Sequence, residues 1–281
     1  MPSHIPDTIQ LVDHVEDSEH TRHYRFRFIN TDNTHNWQQT LPGQFFMLNV
    51  PGAGEAPFSF TEPPNANGEF RALIRRMGVL TSALFNMQAG DILGARGPFG
   101  VGWPLAKIRD KNLLIVAGGC GLAPLVSLIN TVNSGSKKQP VTLVYGARNR
   151  TTQMLKPERL LWQKEAINVV NVLEDLSPND KHSINEYKGT PMDFLPSAVT
   201  SFVQAPTIAL LCGPEQMMHS VANYLLGAGF SADAIFLSVE RRMHCALGLC
   251  GHCYIHNKYA CKQGPTFSWQ DLQQLRQQSM D

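Results

Sequence analysis

The 281-residue sequence has no run of apolar residues near the 18 or so that a membrane-spanning helix needs. Its first stretch, MPSHIPDTIQLVDHVEDSEH, is polar and acidic and lacks the apolar segment of a signal peptide. Direct membrane insertion is therefore not expected, and the expected location is cytoplasmic. An excess of one charge is also missing. Lys and Arg number 24 against 23 Asp and Glu, a formal +1 with no long basic run, so nucleic acid is not an expected partner. No internal repeat or low-complexity tract stands out. There is no haem-attachment motif. What is present is 43% hydrophobic residues, enough for real cores, in a length that suggests about two domains.

Cysteine is scarce except in one place. Four of the six lie in MHCALGLCGHCYIHNKYAC, residues 243–261, as Cys245, Cys250, Cys253 and Cys261, spaced C-x4-C-x2-C-x7-C. In a reducing cytosol, clustered thiols are more often metal ligands or redox groups than disulfides. Structural zinc is one reading, because Cys250 and Cys253 form a C-x2-C unit. A [2Fe–2S] cluster is the other, because C-x4-C-x2-C with a distal cysteine is the plant-type ligand spacing. Gly248 and Gly251 suit the cluster, since glycine accepts φ > 0 and lets backbone N–H groups approach sulfur. A one-electron centre needs something in the chain to exchange electrons with.

The first hundred residues read as β-structure. HYRFRFIN alternates, with Tyr24, Phe26 and Phe28 on one face and Arg25 and Arg27 on the other; GQFFMLNV and EFRALIRRM are further strands. Glycine and proline punctuate them at Pro42-Gly43, Pro51-Gly52, Pro63-Pro64 and Gly97-Pro98. Many short strands with such turns suggest a small antiparallel barrel. From about residue 110 the texture changes. KNLLIVAGG, VTLVYGA, INVVNVLE, TIALLCG and AIFLSVE are apolar strands, and helical patterns such as PERLLWQKEA and EQMMHSVANYLLGAG fall between them. That alternation predicts a doubly wound parallel sheet, with Met217, Val221 and Leu225 as helix core. The stretch from Glu174 to Pro206 is harder to assign. Expected domains are 1–108, 109–239 and a small module at 240–281.

Two loops of the sheet suit a dinucleotide. AGGCGLAP contains Gly118, Gly119, Cys120, Gly121, Ala123 and Pro124 between the first strand and its helix, where backbone N–H groups can meet a pyrophosphate. The third glycine of the usual fingerprint is absent, and a plain strand-to-helix turn is the other reading. CGP, as Cys212, Gly213 and Pro214, ends a later strand, where parallel sheets bind ligands. A buried cysteine before a helix explains it equally well. After the second strand, YGARNRTTQ offers Tyr145, Arg148 and Arg150 and no acidic residue. Arginine suits a 2′-phosphate, a lean to NADPH that leaves NADH open, and surface charge is the simpler alternative.

This order of motifs resembles the ferredoxin–NADP reductase superfamily. Its flavin motif, Arg-x-Tyr-Ser, is matched by Ala56, Pro57, Phe58 and Ser59, with alanine in place of the arginine. The resemblance implies that Phe58 packs on the flavin ring and Ser59 hydrogen-bonds near N5. A second flavin segment is implied at LIRRMGVLTSAL, with Leu73, Ile74, Arg75, Gly78, Leu80, Thr81 and Ser82 as cofactor-binding residues, Arg75 facing the FAD phosphates and Gly78 and Thr81 lining them. It also places Cys212 by the nicotinamide as a positioning group. Cys120 stands where the family usually has threonine, and the terminal aromatic of plant-type reductases is absent. SVERRMHCALGLCGHCYIHNKYACKQGPTFSW is closely similar to the gamma-type subunits of soluble nickel–iron sulfhydrogenases and the B subunit of anaerobic sulfite reductase. The electron-transfer subunit of dihydroorotate dehydrogenase is a more distant match. The resemblance implies an NAD(P)H-dependent oxidoreductase subunit with FAD, a [2Fe–2S] cluster and NAD(P). Its partners would be the catalytic and iron–sulfur subunits of a hetero-oligomer. A stand-alone NAD(P)H flavin reductase is the alternative. The expected docking face is the stretch from Tyr254 to Tyr259 with a short C-terminal helix, begun by a capping box of Ser268 and Asp271.

Overall fold

The computed structural model describes residues 4–30, 35–135, 138–176, 185–200, 202 and 207–278. The chain divides into two compact units. One comprises Met1–Trp103, Ala123–Ile129 and Glu240–Pro265; the other comprises Pro104–Leu122, Asn130–Val239 and Thr266–Asp281.

The first unit is built on six strands: β1 (Asp7–Ser18), β2 (Thr21–Phe28), β3 (Phe45–Val50), β4 (Gly54–Ser59), β5 (Glu69–Arg75) and β6 (Ile92–Phe99). Short helices α1 (His35–Gln38) and α2 (Val79–Phe85) interrupt them. All pairs are antiparallel, in the order β4-β3-β6-β1-β2-β5, and a bridge from Glu62 to Arg71 joins the far edges. The alternation in β2 holds: Tyr24, Phe26 and Phe28 are buried and Arg27 is exposed. With Trp37, Phe46, Phe60 and Phe70 they form an aromatic core, in which each ring contributes roughly 1.5–3 kcal/mol by leaving water.

The second unit is a sheet of seven strands. Six are parallel: β7 (Asn112–Gly118), β8 (Val141–Ala147), β9 (Asn168–Leu173), β10 (Glu186–Lys188), β11 (Thr207–Cys212) and β12 (Ile235–Ser238). The helices in this part of the sequence are α3 (Leu105–Ile108), α4 (Ala123–Asn133), α5 (Lys156–Lys164), α6 (Pro191–Thr200) and α7 (Glu215–Gly227). Strand order is β10-β9-β8-β7-β11-β12, so the direction of winding reverses beside β7. Residues 177–184, 201 and 203–206 of the stretch that resists assignment lie outside the described residues; the rest holds β10 and α6. One core expectation fails. Val221 and Leu225 of α7 are buried, but Met217 is not, and Met218 takes the buried position.

Residues 240–265 belong to the barrel unit and carry a small hairpin, β13 (Tyr254–Ile255) and β14 (Lys258–Tyr259). The chain then adds β15 (Thr266–Ser268) antiparallel to β12 and ends in α8 (Trp269–Gln278). The Ser268 hydroxyl accepts from the Asp271 backbone N–H at 3.0 Å and donates to its carboxylate at 2.7 Å, so the cap forms. No helix among the described residues is long and apolar enough to cross a membrane.

Candidate functional site

The cysteine loop is shaped around its own sulfurs. Ala246, Gly248 and Gly251 take left-handed backbone at φ 59°, 73° and 79°. This turns the N–H groups of Leu247, Leu249 and Cys250 onto Cys245 Sγ at 3.3–3.4 Å, and that of Gly248 onto Cys261 Sγ at 3.2 Å. The hairpin does the rest. Its register pairs Tyr254 with Tyr259, and the Ala260 N–H donates to the Cys253 carbonyl at 2.9 Å, which brings Cys253 and Cys261 together.

The Cys250 thiol neighbours Cys245 and the Cys261 thiol neighbours Cys253, with Cys245 also close enough to act on Cys261 electrostatically. The N–H groups aimed at Cys245 and Cys261 sulfur fit an iron–sulfur cluster, since hydrogen bonds to sulfur are part of how such clusters are held. Backbone hydrogen bonding, led by His252, lowers the Cys250 thiol to about 7. Burial raises Cys261 to about 12. Cys250 is thus close to its ligand form at neutral pH, whereas Cys261 must lose a proton as metal binds. Cys253 and Cys261 are buried, while Cys250 is exposed beside Leu249, itself 71% exposed.

The flavin segment lies on edge strand β4, where Ala56, Pro57, Phe58 and Ser59 are all half-buried. Phe58 packs on Phe46 of the aromatic core, with ring centroids 6.4 Å apart, and keeps its remaining surface open. In the second segment, the side chains of Leu73 and Ile74 are buried in the barrel, so only their backbone can serve a ligand. Arg75 is exposed at the end of β5. The Thr81 hydroxyl turns inward on its own loop and accepts from the N–H of Met77 at 2.9 Å and Gly78 at 3.0 Å. Leu80 is half-buried, and Ser82 is exposed.

The structure brings the AGGCG loop and the CGP turn together. A Cβ at Gly121 would lie 2.4 Å from the Cys212 carbonyl oxygen, and one at Gly118 would lie 2.9 Å from Pro214. Gly213, at φ +148°, sits against the Gly118 backbone in turn. These glycines are required by close packing. Gly119, at φ +52°, differs: a Cβ there would meet nothing within 4 Å, so this glycine faces open space. Cys120 is exposed, Cys212 is buried, and Ala123 and Pro124 open α4. Tyr145 is a core residue: it is fully buried, its hydroxyl accepts from the Met154 N–H at 3.0 Å, and Arg159 lies over its ring. Arg150 is bound by Glu186, with Nη2 2.8 Å from the carboxylate, which leaves Arg148 as the exposed cation of that loop.

Two site features escape the sequence. Met217, the misphased helix residue, lies with its thioether at the Gly118–Gly213 contact. In the barrel, Arg96 of β6 is buried in a salt bridge to Glu55 of β4 and donates to the Cys245 carbonyl at 3.1 Å. The hydrogen bond to Glu55 raises the Arg96 pKa further. A lone charge in the strand ILGARGPF is the one available signal, and it names no partner.

Comparisons with known proteins agree with this layout. The oxidoreductase FAD-binding domain family matches residues 8–102, and the oxidoreductase NAD-binding domain family matches 115–223. The iron–sulfur cluster binding domain of dihydroorotate dehydrogenase B matches 240–273. Sulfhydrogenase 1 subunit gamma of Pyrococcus furiosus is 33% identical over 89% of this chain and 86% of its own length. A probable dihydroorotate dehydrogenase B (NAD(+)) electron transfer subunit of Thermococcus kodakarensis is 31% identical over 82% and 86%. The structure of an NADH-dependent reduced ferredoxin–NADP oxidoreductase shares the fold, with a TM-score of 0.75 and 20% identity over 96% of this chain and 92% of that one. With its FAD-binding barrel, NAD-binding sheet and iron–sulfur module, the chain belongs to the family of the sulfhydrogenase gamma subunits and dihydroorotate dehydrogenase B electron-transfer subunits, within the ferredoxin–NADP reductase superfamily.

Proposed function

We propose that this chain serves a hydrogenase-type catalytic subunit in a hetero-oligomer, exchanging electrons with it through the cysteine loop. The observation that carries this reading is the placing of the thiols. Cys250 is exposed next to exposed Leu249 and Tyr254, so one corner of the site reaches the surface, where a partner can meet it. When bound, flavin accepts electrons in pairs from a nicotinamide and releases them singly to an iron–sulfur centre.

The residues divide the work. Phe58 offers a face for the flavin ring, and Ser59 a hydroxyl at its reactive edge. Thr81 fixes the loop beside Arg75, whose charge suits the FAD phosphates. Gly119 lets the nucleotide pyrophosphate approach the backbone, and Cys212 closes the floor of that loop. Arg148 favours a 2′-phosphate, and Glu186 withdraws Arg150 from that role. A dihydroorotate dehydrogenase partner is the second reading, favoured by the family match at 240–273.

The test is anaerobic co-purification from the native cell followed by reconstitution. The isolated chain should reduce dyes with NAD(P)H but neither evolve hydrogen nor oxidise dihydroorotate. Adding the co-purifying subunit should restore one of these activities. Turnover of hydrogen, sulfite or dihydroorotate by the isolated chain would refute the subunit reading.

A further inference from the structure

Arg96 is the one Lys or Arg of the barrel unit that is less than a tenth exposed among the described residues, at 6%. Its three nitrogens are all committed. Nε donates to Glu55 Oε1 at 2.9 Å, Nη2 donates to Glu55 Oε2, and Nη1 donates to the Cys245 carbonyl at 3.1 Å. The Glu55 side chain is itself only 18% exposed. A buried ion pair of this kind is a weak source of stability, because apolar residues of the same volume often do as well. What the planar, five-donor fork supplies is a fixed geometry. The elements it fixes are telling. Glu55 immediately precedes Ala56, the first residue of the flavin segment, and Cys245 is the first cysteine of the loop.

We propose that Arg96, oriented by Glu55, is a positioning residue for the cluster: it anchors the Cys245 loop to the flavin strand β4 and holds a fixed positive charge beside the Cys245 corner. The inference rests on the cluster reading of the four thiols. Reduction adds a negative charge to the centre, so a nearby guanidinium favours the reduced form and the Glu55 carboxylate partly offsets it. Neutralising the two residues must therefore move the reduction potential in opposite directions. Local damage to the fold gives no such sign rule.

The experiment is a redox titration of the cluster in the anaerobically purified full chain, read by electron paramagnetic resonance. Arg96→Gln should lower the midpoint and Glu55→Gln should raise it. Each change should alter the reduced-to-oxidised ratio at the wild-type midpoint by about threefold to tenfold, where tenfold is about 59 mV for one electron. The double variant, which leaves no buried charge unpaired, should fall between the single ones. If Arg96→Gln does not retain the cluster, Glu55→Gln decides, because it keeps the Arg96 bond to Cys245; an upward shift supports the proposal. Wild-type potential in every variant, or shifts of one sign in both single variants, overturns it. Absence of any iron–sulfur signal in the wild-type chain removes the cluster reading itself.

Discussion

In the nucleotide loop, a methyl group added at Gly121 would lie 2.4 Å from the Cys212 carbonyl oxygen; in the cysteine loop, one added at Gly251 would meet nothing within 4 Å. Both are glycines of loops that the sequence predicts to bind ligands, and a sequence pattern treats them alike. The first is glycine because another backbone occupies the space of its side chain. The second is glycine because its φ of +79° is costly for any other residue. The AGGCG loop is therefore held by backbone packed against backbone. The cysteine loop is held by N–H groups aimed at its own sulfurs.

That contrast can be broken at several points. Cys261→Ala removes one of two thiolates from an iron corner and should have the largest effect. Iron content should fall close to zero, and the electron paramagnetic resonance signal should vanish, with flavin still reduced by NAD(P)H. A variant that kept its iron would mean that Cys261 is not a ligand. Next in size is Gly121→Ala. No flexible side chain lies at the point of contact to move aside, so overpacking of about 1–3 kcal/mol or more is expected. The thermal midpoint should fall and the KM for nucleotide should rise about tenfold, with flavin and iron content unchanged. An unchanged midpoint would show that the loop is not packed tightly.

Smaller effects are expected at two further positions. Gly251→Ala should cost about 1–2 kcal/mol through backbone strain alone. The loss should appear as faster cluster loss during aerobic incubation, with nucleotide KM unaltered; a tenfold rise in that KM would contradict the account. Thr81→Ala removes an acceptor from two backbone N–H groups and should cost about 1 kcal/mol. The flavin dissociation constant should rise a few-fold, measured by fluorescence as FAD is released. Loss of all flavin would mean that Thr81 contacts the cofactor itself rather than shaping its loop.

Much of the fold is legible in the sequence because burial on one face imposes a period of two. In β2 the aromatic positions enter the core and the arginines do not, as the alternation requires. Strand β8 shows where this ends. All seven of its residues are buried, so pattern alone could not say that Tyr145 is core rather than ligand-facing. In α7 the apolar residues crowd two adjoining stripes: Met218 is buried, while Met217 lies with its side chain beside Gly118 and Gly213. The cysteines were legible as a set because their spacing is local. Glu55 and Arg96 were not, because they meet over strand β3, which lies between β4 and β6, with a sequence separation of 41. Arg150 belongs to the same class: nothing in YGARNRTTQ announces Glu186 as its partner.

A two-iron cluster held by the four thiols is expected to be fed from NAD(P)H within one chain. The most direct test is iron and acid-labile sulfide analysis of the anaerobically purified chain, combined with electron paramagnetic resonance after adding NAD(P)H. About two irons and two sulfides per chain are expected, with a signal that develops on reduction by the nucleotide. One zinc per chain with no iron, or a cluster that NAD(P)H leaves oxidised while dithionite reduces it, would contradict this expectation.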